Sequence, residues 1–536
     1  MRLYIRILSL QHCGIILTQA VIPTTYYLEL RDNSMINGLG QNQVIGSTLV
    51  EKNQRLSRSH LWQLHSDFYR QSGISAWTQG HVPHYITNNP MIANAYAQLV
   101  LNFLTALPIQ DESKPIYILE IGAGSGRFAF HFLKLFNTLI KNTPLAKQKI
   151  VYLLTDLAES NVAFWKEHPC LQPYLQSGQL DLAMFDPSND LEINLVISGN
   201  CLTKQDFVNP EVIIANYFFD SLPCDVFSIR NGILCEELVS LYTGHNQHAN
   251  DDLESLSSVE IRFEPHFIST NYYSRADYNQ ILRLYQHTPN NLYFTFPIDA
   301  LQSVWNLLQI SSEQTLLISA DKGNYQLDLQ YTTTEPEISL HGKAISMMVN
   351  YHALAECIKL NDGKTLQSKH REEGLVFSVF LTNTANPAFI QLQNAFNQVI
   401  ETASPDDFFV LKRTMQQHYN SMTLEQLLAF VRLSLYDPQI FRDMLPVLIG
   451  LSQNMPDNKH ENLYQVAQRV WDLFFPIGEP INLYHLLARL FITLSRYKEA
   501  YDCLQASQCF FGTSLEYQEI LGLIPDHSKG SNSYKN

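Results

Sequence analysis

The pattern with the most chemical meaning in this chain is an acidic residue followed by glycines at alternate positions, Glu120-Ile-Gly122-Ala-Gly124-Ser-Gly126. An apolar run ending at Leu119 leads into it. Arg127 opens a stretch, 127–136, whose apolar residues share one helical face. Glycine at such a turn keeps side chains out of the way of a ligand approaching the backbone. The helix that follows offers free N–H groups and the positive end of its dipole. A carboxylate at the strand end can accept hydrogen bonds from a ligand amine or hydroxyl. Dinucleotide sites use G-x-G-x-x-G, with the third glycine at the sixth position. Here Arg127 holds that position and glycine falls at the fifth. The plainer alternative is a strand–turn–helix junction that happens to hold three glycines.

The elements that must carry this loop read as α/β. Apolar stretches at 116–121, 150–155, 180–185, 212–216, 226–229 and 315–320 predict strands, most of them separated by helical segments. Such alternation implies a mostly parallel, Rossmann-like sheet with helices on both faces. Ligands of such sheets bind at the carboxyl ends of the strands. Upstream, 59–107 has a helical pattern interrupted at 80–90, where Pro83 and Pro90 break any helix, and a helix resumes at 91–104. An insertion at about 240–310, rich in tyrosine and phenylalanine, reads equally as a substrate-side cap or as an α+β elaboration with its own core. The segment 341–352 reads as a buried apolar strand with a satisfied histidine. A variable stretch near 382–387 leads into a helical region, 404–526. Within it Leu494-Ser-Arg-Tyr-Lys-Glu-Ala500 resembles the turn and second-helix start of a tetratricopeptide repeat. One copy does not make an array, and a plain bundle is the simpler reading.

The spacing E-x-G-x-G-x-G resembles motif I of class I S-adenosylmethionine-dependent methyltransferases, and the other strand ends fit such a site. Asp156 closes Tyr152-Leu-Leu-Thr-Asp156, where it could hold ribose hydroxyls, or it caps the next helix. It lies 36 residues after Glu120, against roughly 20 in dinucleotide folds, and a long first helix with the loop at 143–145 accounts for the difference. Asp186, before Pro187, stands where an adenine amino group would lie, or forms a turn. Asn216 could orient a substrate amine or the methionine part of the cofactor, and Phe218 and Phe219 could wall the transfer site. Methyl transfer is an in-line displacement on a sulfonium, so alignment and exclusion of water supply most of the rate. A carboxylate helps by accepting the nucleophile's proton or pairing with a guanidinium. Asp220 is the candidate, with a turn-ordering role as its alternative.

Taken together these segments resemble the MidA-like methyltransferases over roughly 60–385. The resemblance rests on Glu120–Arg127 by its motif and on Ala215-Asn-Tyr-Phe-Phe-Asp-Ser-Leu-Pro223, similar to the family's A-N-E-F-F-D-A-L-P. It rests also on Tyr85-Ile-Thr87 for a threonine loop near the cofactor, and on Ile318-Ser-Ala-Asp-Lys-Gly323 for an I-D-Y-G strand end. It implies S-adenosyl-L-methionine as cofactor, with Thr87 near it, and, from the mitochondrial members that act in respiratory complex I assembly, transfer to protein arginine. Tyr217 takes the place of the family glutamate and Lys322 that of its tyrosine. Guanidinium recognition usually uses paired acids, so arginine specificity would then fall to Asp220 and Asp321.

A chain of 536 residues is too long for one core. The expected division is a leader or poorly defined segment at 1–58, a helical cap at 59–115, the methyltransferase domain at 116–390, the helical domain at 404–526 and a disordered tail at 527–536. Met35 is a candidate true start. The net charge of −15 disfavours nucleic acid as main partner. Eight cysteines without a C-x-x-C pair support no metal or redox motif and point to a reduced, cytoplasmic protein. No segment reaches the length of a membrane span. Two functions follow: a methyltransferase acting on a protein side chain, with the C-terminal helices selecting the partner, or an inactive scaffold of the same fold that binds a partner through those helices.

Overall fold

The computed structural model describes residues 48–80, 82, 85–243, 259–269, 271–287, 292–312, 314–341, 343–369, 375–382, 386–453 and 456–525. The readings for residues 1–47 (including Met35), Pro83 and the tail at 527–536 lie outside the described residues.

The main sheet has eight strands among the described residues. Their order is Lys364–Gln367, Leu375–Leu381, Thr315–Asn324, Glu211–Asn216, Ile116–Glu120, Ile150–Asp156 and Leu180–Met184, with Val349–Asn350 pairing beside Thr315–Asn324. The five strands from Thr315–Asn324 to the edge strand Leu180–Met184 run parallel, and Leu375–Leu381 runs antiparallel to both its neighbours. Near-continuous apolar strands are what burial on both faces demands. Ile116, Ile118, Tyr152 and Ile214 join the core under helices Pro90–Thr105 and Arg127–Ile140. Leu119, Ile121, Leu153 and Ile213 join the core under Ile298–Ile310 and Tyr351–Leu360. Pro90 starts a helix rather than breaking one: it sits in the first turn, where its missing N–H costs nothing, behind the Asn89 cap whose Oδ1 accepts from Met91 and Ile92.

Three expectations are corrected here and a fourth is narrowed. The segment read as 1–58 leader contains the strand Thr48–Gln54, which pairs with Ile233–Thr243. The stretch 226–229 does not join the parallel sheet. As Asp225–Arg230 it is part of a second, antiparallel sheet with Thr48–Gln54, Ile233–Thr243, Val259–Phe267 and Leu292–Phe296. The described part of the 240–310 insertion is thus an α+β elaboration, but its core is shared: Phe227, Phe294 and Phe296 belong to the same cluster as main-sheet residues Ile213 and Ala215. The stretch 341–352 is split between the hairpin Ser339–His341/Ala344–Ser346, the short strand Val349–Asn350 and the start of helix Tyr351–Leu360. Its histidines are satisfied, His341 by Ser346 Oγ at 3.0 Å and His352 by Tyr285 Oη at 2.9 Å.

Helices begin earlier than 404. Asn386–Phe396 packs Leu392 and Phe396 into the main-sheet core. Beyond it, Leu424–Leu433, Pro438–Ser452, Asp457–Leu473, Leu483–Thr493, Tyr497–Phe511 and Leu515–Gly522 enclose a core of their own. No helix among the described residues is long and apolar enough to cross a membrane.

Candidate functional site

The glycine loop lies at the carboxyl end of the central strand, and all three glycines have left-handed backbone: φ is +61° at Gly122, +55° at Gly124 and +74° at Gly126. Each also faces an aromatic ring. A Cβ on Gly122 would meet Phe218 at 3.0 Å, one on Gly124 would meet Trp77 at 2.8 Å, and one on Gly126 would meet Trp165 at 2.9 Å. Trp165 is buried and buttresses the loop from within, its Nε1 donating to Gly124 O at 3.1 Å. Trp77 is half-buried and lies against the loop from the N-terminal segment.

Glu120 and Asp156 sit on adjacent strands. Tyr152 Oη donates to Glu120 Oε2 at 2.8 Å. Burial pushes the Glu120 carboxyl up to about 8, opposed by that hydrogen bond and helped by the charge of Asp156. Asp156 Oδ2 accepts from Gly124 N at 3.0 Å and Oδ1 from Ala158 N at 2.9 Å, so the second-strand acid fixes the shape of the loop. Burial raises its carboxyl, and the backbone donors oppose the rise. Asp186 lies at the next strand end, where Oδ1 accepts from Ser188 N at 2.9 Å and Oδ2 from Asn189 Nδ2 at 2.8 Å. Its carboxylate therefore orders its own turn. Thr87 is buried in the turn before the Asn89 cap, next to Asn88, whose Nδ2 donates to Ser125 Oγ of the glycine loop at 3.4 Å.

The fourth strand end brings the transfer-side residues together. Asn216 Oδ1 accepts from Tyr96 Oη at 2.7 Å. The chain then turns at Tyr217, where φ is +47° in a non-glycine residue, and Asp321 Oδ2 accepts from Phe219 N at 3.1 Å to hold the turn. Ala320 pairs with Asn216 in the parallel register, which sets Asp321 beside the turn carrying Asp220. Burial raises the carboxyls of both acids. The Asp220 charge raises Asp321 further, while Lys322 opposes the rise at Asp220. Three buried polar atoms around these loops have no hydrogen-bond partner among the described residues: Asn88 Oδ1, Asn216 Nδ2 and Asp321 Oδ1. Orphaned polar atoms at this depth are costly, and an acceptor, a donor and a carboxylate oxygen here fit a polar ligand that carries both amine and carboxylate groups.

Sequence reasoning missed Tyr69 and Trp77. Their ring centroids are 6.1 Å apart, and the Tyr69 phenol is raised by burial and by the charges of Asp220 and Asp156. It is therefore within electrostatic reach of both the second- and the fourth-strand acids. Tyr96 was also missed. Tyr96→Phe removes the hydroxyl that donates to Asn216 Oδ1. Unfolding in denaturant should show a loss of about 1–3 kcal/mol, the cost of stranding a buried polar group.

The sheet topology and the glycine loop fit a class I S-adenosyl-L-methionine-dependent methyltransferase. Residues 95–281 match the family model described as "Putative S-adenosyl-L-methionine-dependent methyltransferase". This match spans about a third of the chain and agrees with the methyltransferase motifs read there. Among solved structures, the chain is similar to a protein from Burkholderia thailandensis titled a "likely methyl transferase" and bound to S-adenosyl-homocysteine. The identity is 12%, the coverage 64% of this chain and 90% of that one, and the TM-score 0.41. It is also similar to the N-methyltransferase NodS from Bradyrhizobium japonicum in complex with S-adenosyl-l-homocysteine, at 8% identity, 60% and 100% coverage and a TM-score of 0.27. No curated protein matches the chain.

Proposed function

We propose that this methyltransferase modifies a protein side chain, with arginine the acceptor its chemistry favours. The observation that carries the reading is the pair Asp220 and Asp321, two carboxylates at neighbouring strand ends beside an Asn216 amide whose Nδ2 has no partner among the described residues. Paired acids suit a planar cation, and either one can take the proton that a nitrogen nucleophile gives up. Phe218 and Phe219, both buried, keep water from the acceptor. Tyr217 replaces the family glutamate, yet the charge of Asp406 from helix Pro405–Gln416 also reaches its phenol, adding acidic character to this side of the site.

In this reading Glu120, Gly122, Gly124, Gly126, Asp156, Asp186 and Thr87 hold the cofactor, which when bound supplies an electrophilic methyl on a sulfonium. The glycines admit it, Glu120 accepts hydrogen bonds from it, Asp156 keeps the loop in shape, and Asn216 and Asp220 orient and deprotonate the acceptor. The C-terminal helices select the protein, and the free cysteines among the described residues suit the cytoplasm.

Calorimetry of S-adenosyl-L-methionine into the full chain tests the cofactor. Methyl transfer to peptides differing only in arginine, lysine or glutamine at one position, read by mass spectrometry, tests the acceptor. Saturable binding and arginine-dependent transfer are expected. Transfer to lysine or glutamine instead overturns the acceptor, and absence of binding by folded protein overturns the whole reading.

A further inference from the structure

Two loops of the proposed cofactor site are anchored by the C-terminal helical domain as well as by the methyltransferase domain itself. The first is the glycine loop. Arg127, which follows Gly126 directly, donates through Nη2 and Nε to Phe475 O at 2.9 and 3.1 Å and forms an ion pair with Glu479. Both side chains are mostly buried, at 13% and 17% exposure, so the pair is shielded from solvent. Glu479 Oε2 accepts from Ile477 N at 2.9 Å, which fixes the carboxylate for Arg127. The segment carrying these groups is set into the methyltransferase domain. Phe475 and Ile477 belong to its core, the Phe475 ring stacks on His168 at 3.8 Å, and His168 Nε2 lies 2.8 Å from Pro476 O. Gly478 comes up to Thr78, the neighbour of Trp77, with a Cβ there falling 3.9 Å from Thr78 Cγ2.

The second is the threonine loop. Tyr85 Oη donates to Asp437 Oδ2 at 2.9 Å, Lys412 Nζ lies 4.0 Å from the centre of the Tyr85 ring, and Phe409 meets that ring edge-on at 5.5 Å. Asp437 is itself rigid, because its Oδ1 caps helix Pro438–Ser452 by accepting from Gln439 and Ile440. From Tyr85 the loop passes through Thr87 to Asn88, which reaches back to Ser125. Two independent clamps from one domain thus hold two loops that meet each other.

We infer that Glu479 and Asp437 are positioning residues for the cofactor, acting through Arg127 and Tyr85, so that the helical domain is an integral part of the cofactor site rather than a detachable partner module. This rests on the cofactor reading above. It follows by linkage that whatever breaks either clamp lowers cofactor affinity, and cofactor binding tightens both clamps in return.

The test is calorimetric titration of S-adenosylhomocysteine into full-length wild type, Glu479→Gln, Tyr85→Phe and Leu490→Ala, with a thermal melt of each. Leu490 is fully buried in the helical core and supplies no group to either clamp, so its truncation loosens the packing of the domain without cutting either. Glu479→Gln and Tyr85→Phe are expected to raise Kd about tenfold each while Leu490→Ala leaves it within twofold despite a lower Tm. If Glu479→Gln does not fold, Tyr85→Phe against Leu490→Ala decides alone. Clamp variants within twofold of wild type, or Leu490→Ala as weak as they are, overturn the inference while the cofactor reading stands. A folded wild type that binds no S-adenosylhomocysteine overturns both.

Discussion

Gly124→Asp should weaken S-adenosylhomocysteine binding by at least 100-fold while the protein stays folded. Three effects combine at this residue. Its φ of +55° costs an L-residue roughly 1–2 kcal/mol. Its Cβ would stand 2.8 Å from the Trp77 ring, closer than any real contact, so ring or loop must move. Its carboxylate would arrive beside Asp156, which already accepts from Gly124 N, and two buried like charges repel. Gly124→Ala separates these causes, since it keeps the strain and the ring clash without the charge, and about a tenfold loss is expected of it. The melt distinguishes loss of the site from loss of the fold. Trp77 fluorescence gives a second readout, because a ring in contact with the loop should report ligand arrival. A Gly124→Asp variant that binds within threefold of wild type would show that this loop is not where the cofactor lies.

The same residue shows what the sequence could and could not reveal. The glycines and the strand leading to them are local: an apolar run, a tight turn and an amphipathic helix appear in order along the chain. The central strands were legible for that reason, since both faces are buried and the runs are nearly all apolar. Asp225–Arg230 looked the same in sequence but pairs with its own neighbour through the Asn231-Gly232 turn, where both residues have positive φ. A short apolar run does not declare which sheet it joins. Thr48–Gln54 left no signal because this mostly polar edge strand shows no buried face. Trp77, Tyr69 and the segment around Phe475 were invisible for a different reason. They reach the site from about 50 residues before the loop and about 350 after it, and no periodicity in one chain encodes that meeting. The sequence-named acids did converge on one set of strand ends, although Asp156 and Asp186 spend hydrogen-bonding capacity on their own loops.

Asp220→Asn should lower kcat on the arginine peptide about 10²–10⁴-fold, the range for loss of a positioned acid–base group, with S-adenosylhomocysteine Kd within threefold of wild type. The pH dependence makes the assignment sharp. Burial raises the Asp220 carboxyl above its ordinary value near 4. A proton acceptor must be ionised, so wild-type activity should climb as pH rises through that raised value and fall away below it. In Asp220→Asn this limb should vanish from whatever rate remains. Stability runs the opposite way. Because the folded carboxyl holds its proton more tightly than the unfolded one, its contribution to folding is fully present at low pH and is lost as pH rises through the folded value. Above that pH the wild type carries a buried charge, crowded by Asp321, that the amide does not. Asp220→Asn is therefore expected to melt higher than wild type at alkaline pH and no higher at acid pH, while being the less active enzyme throughout. A residue that merely orders the Ser221-Leu222-Pro223 turn would behave otherwise: its loss would lower Tm at every pH and leave the shape of the pH–rate profile unchanged. That contrast separates a proton acceptor from a turn former.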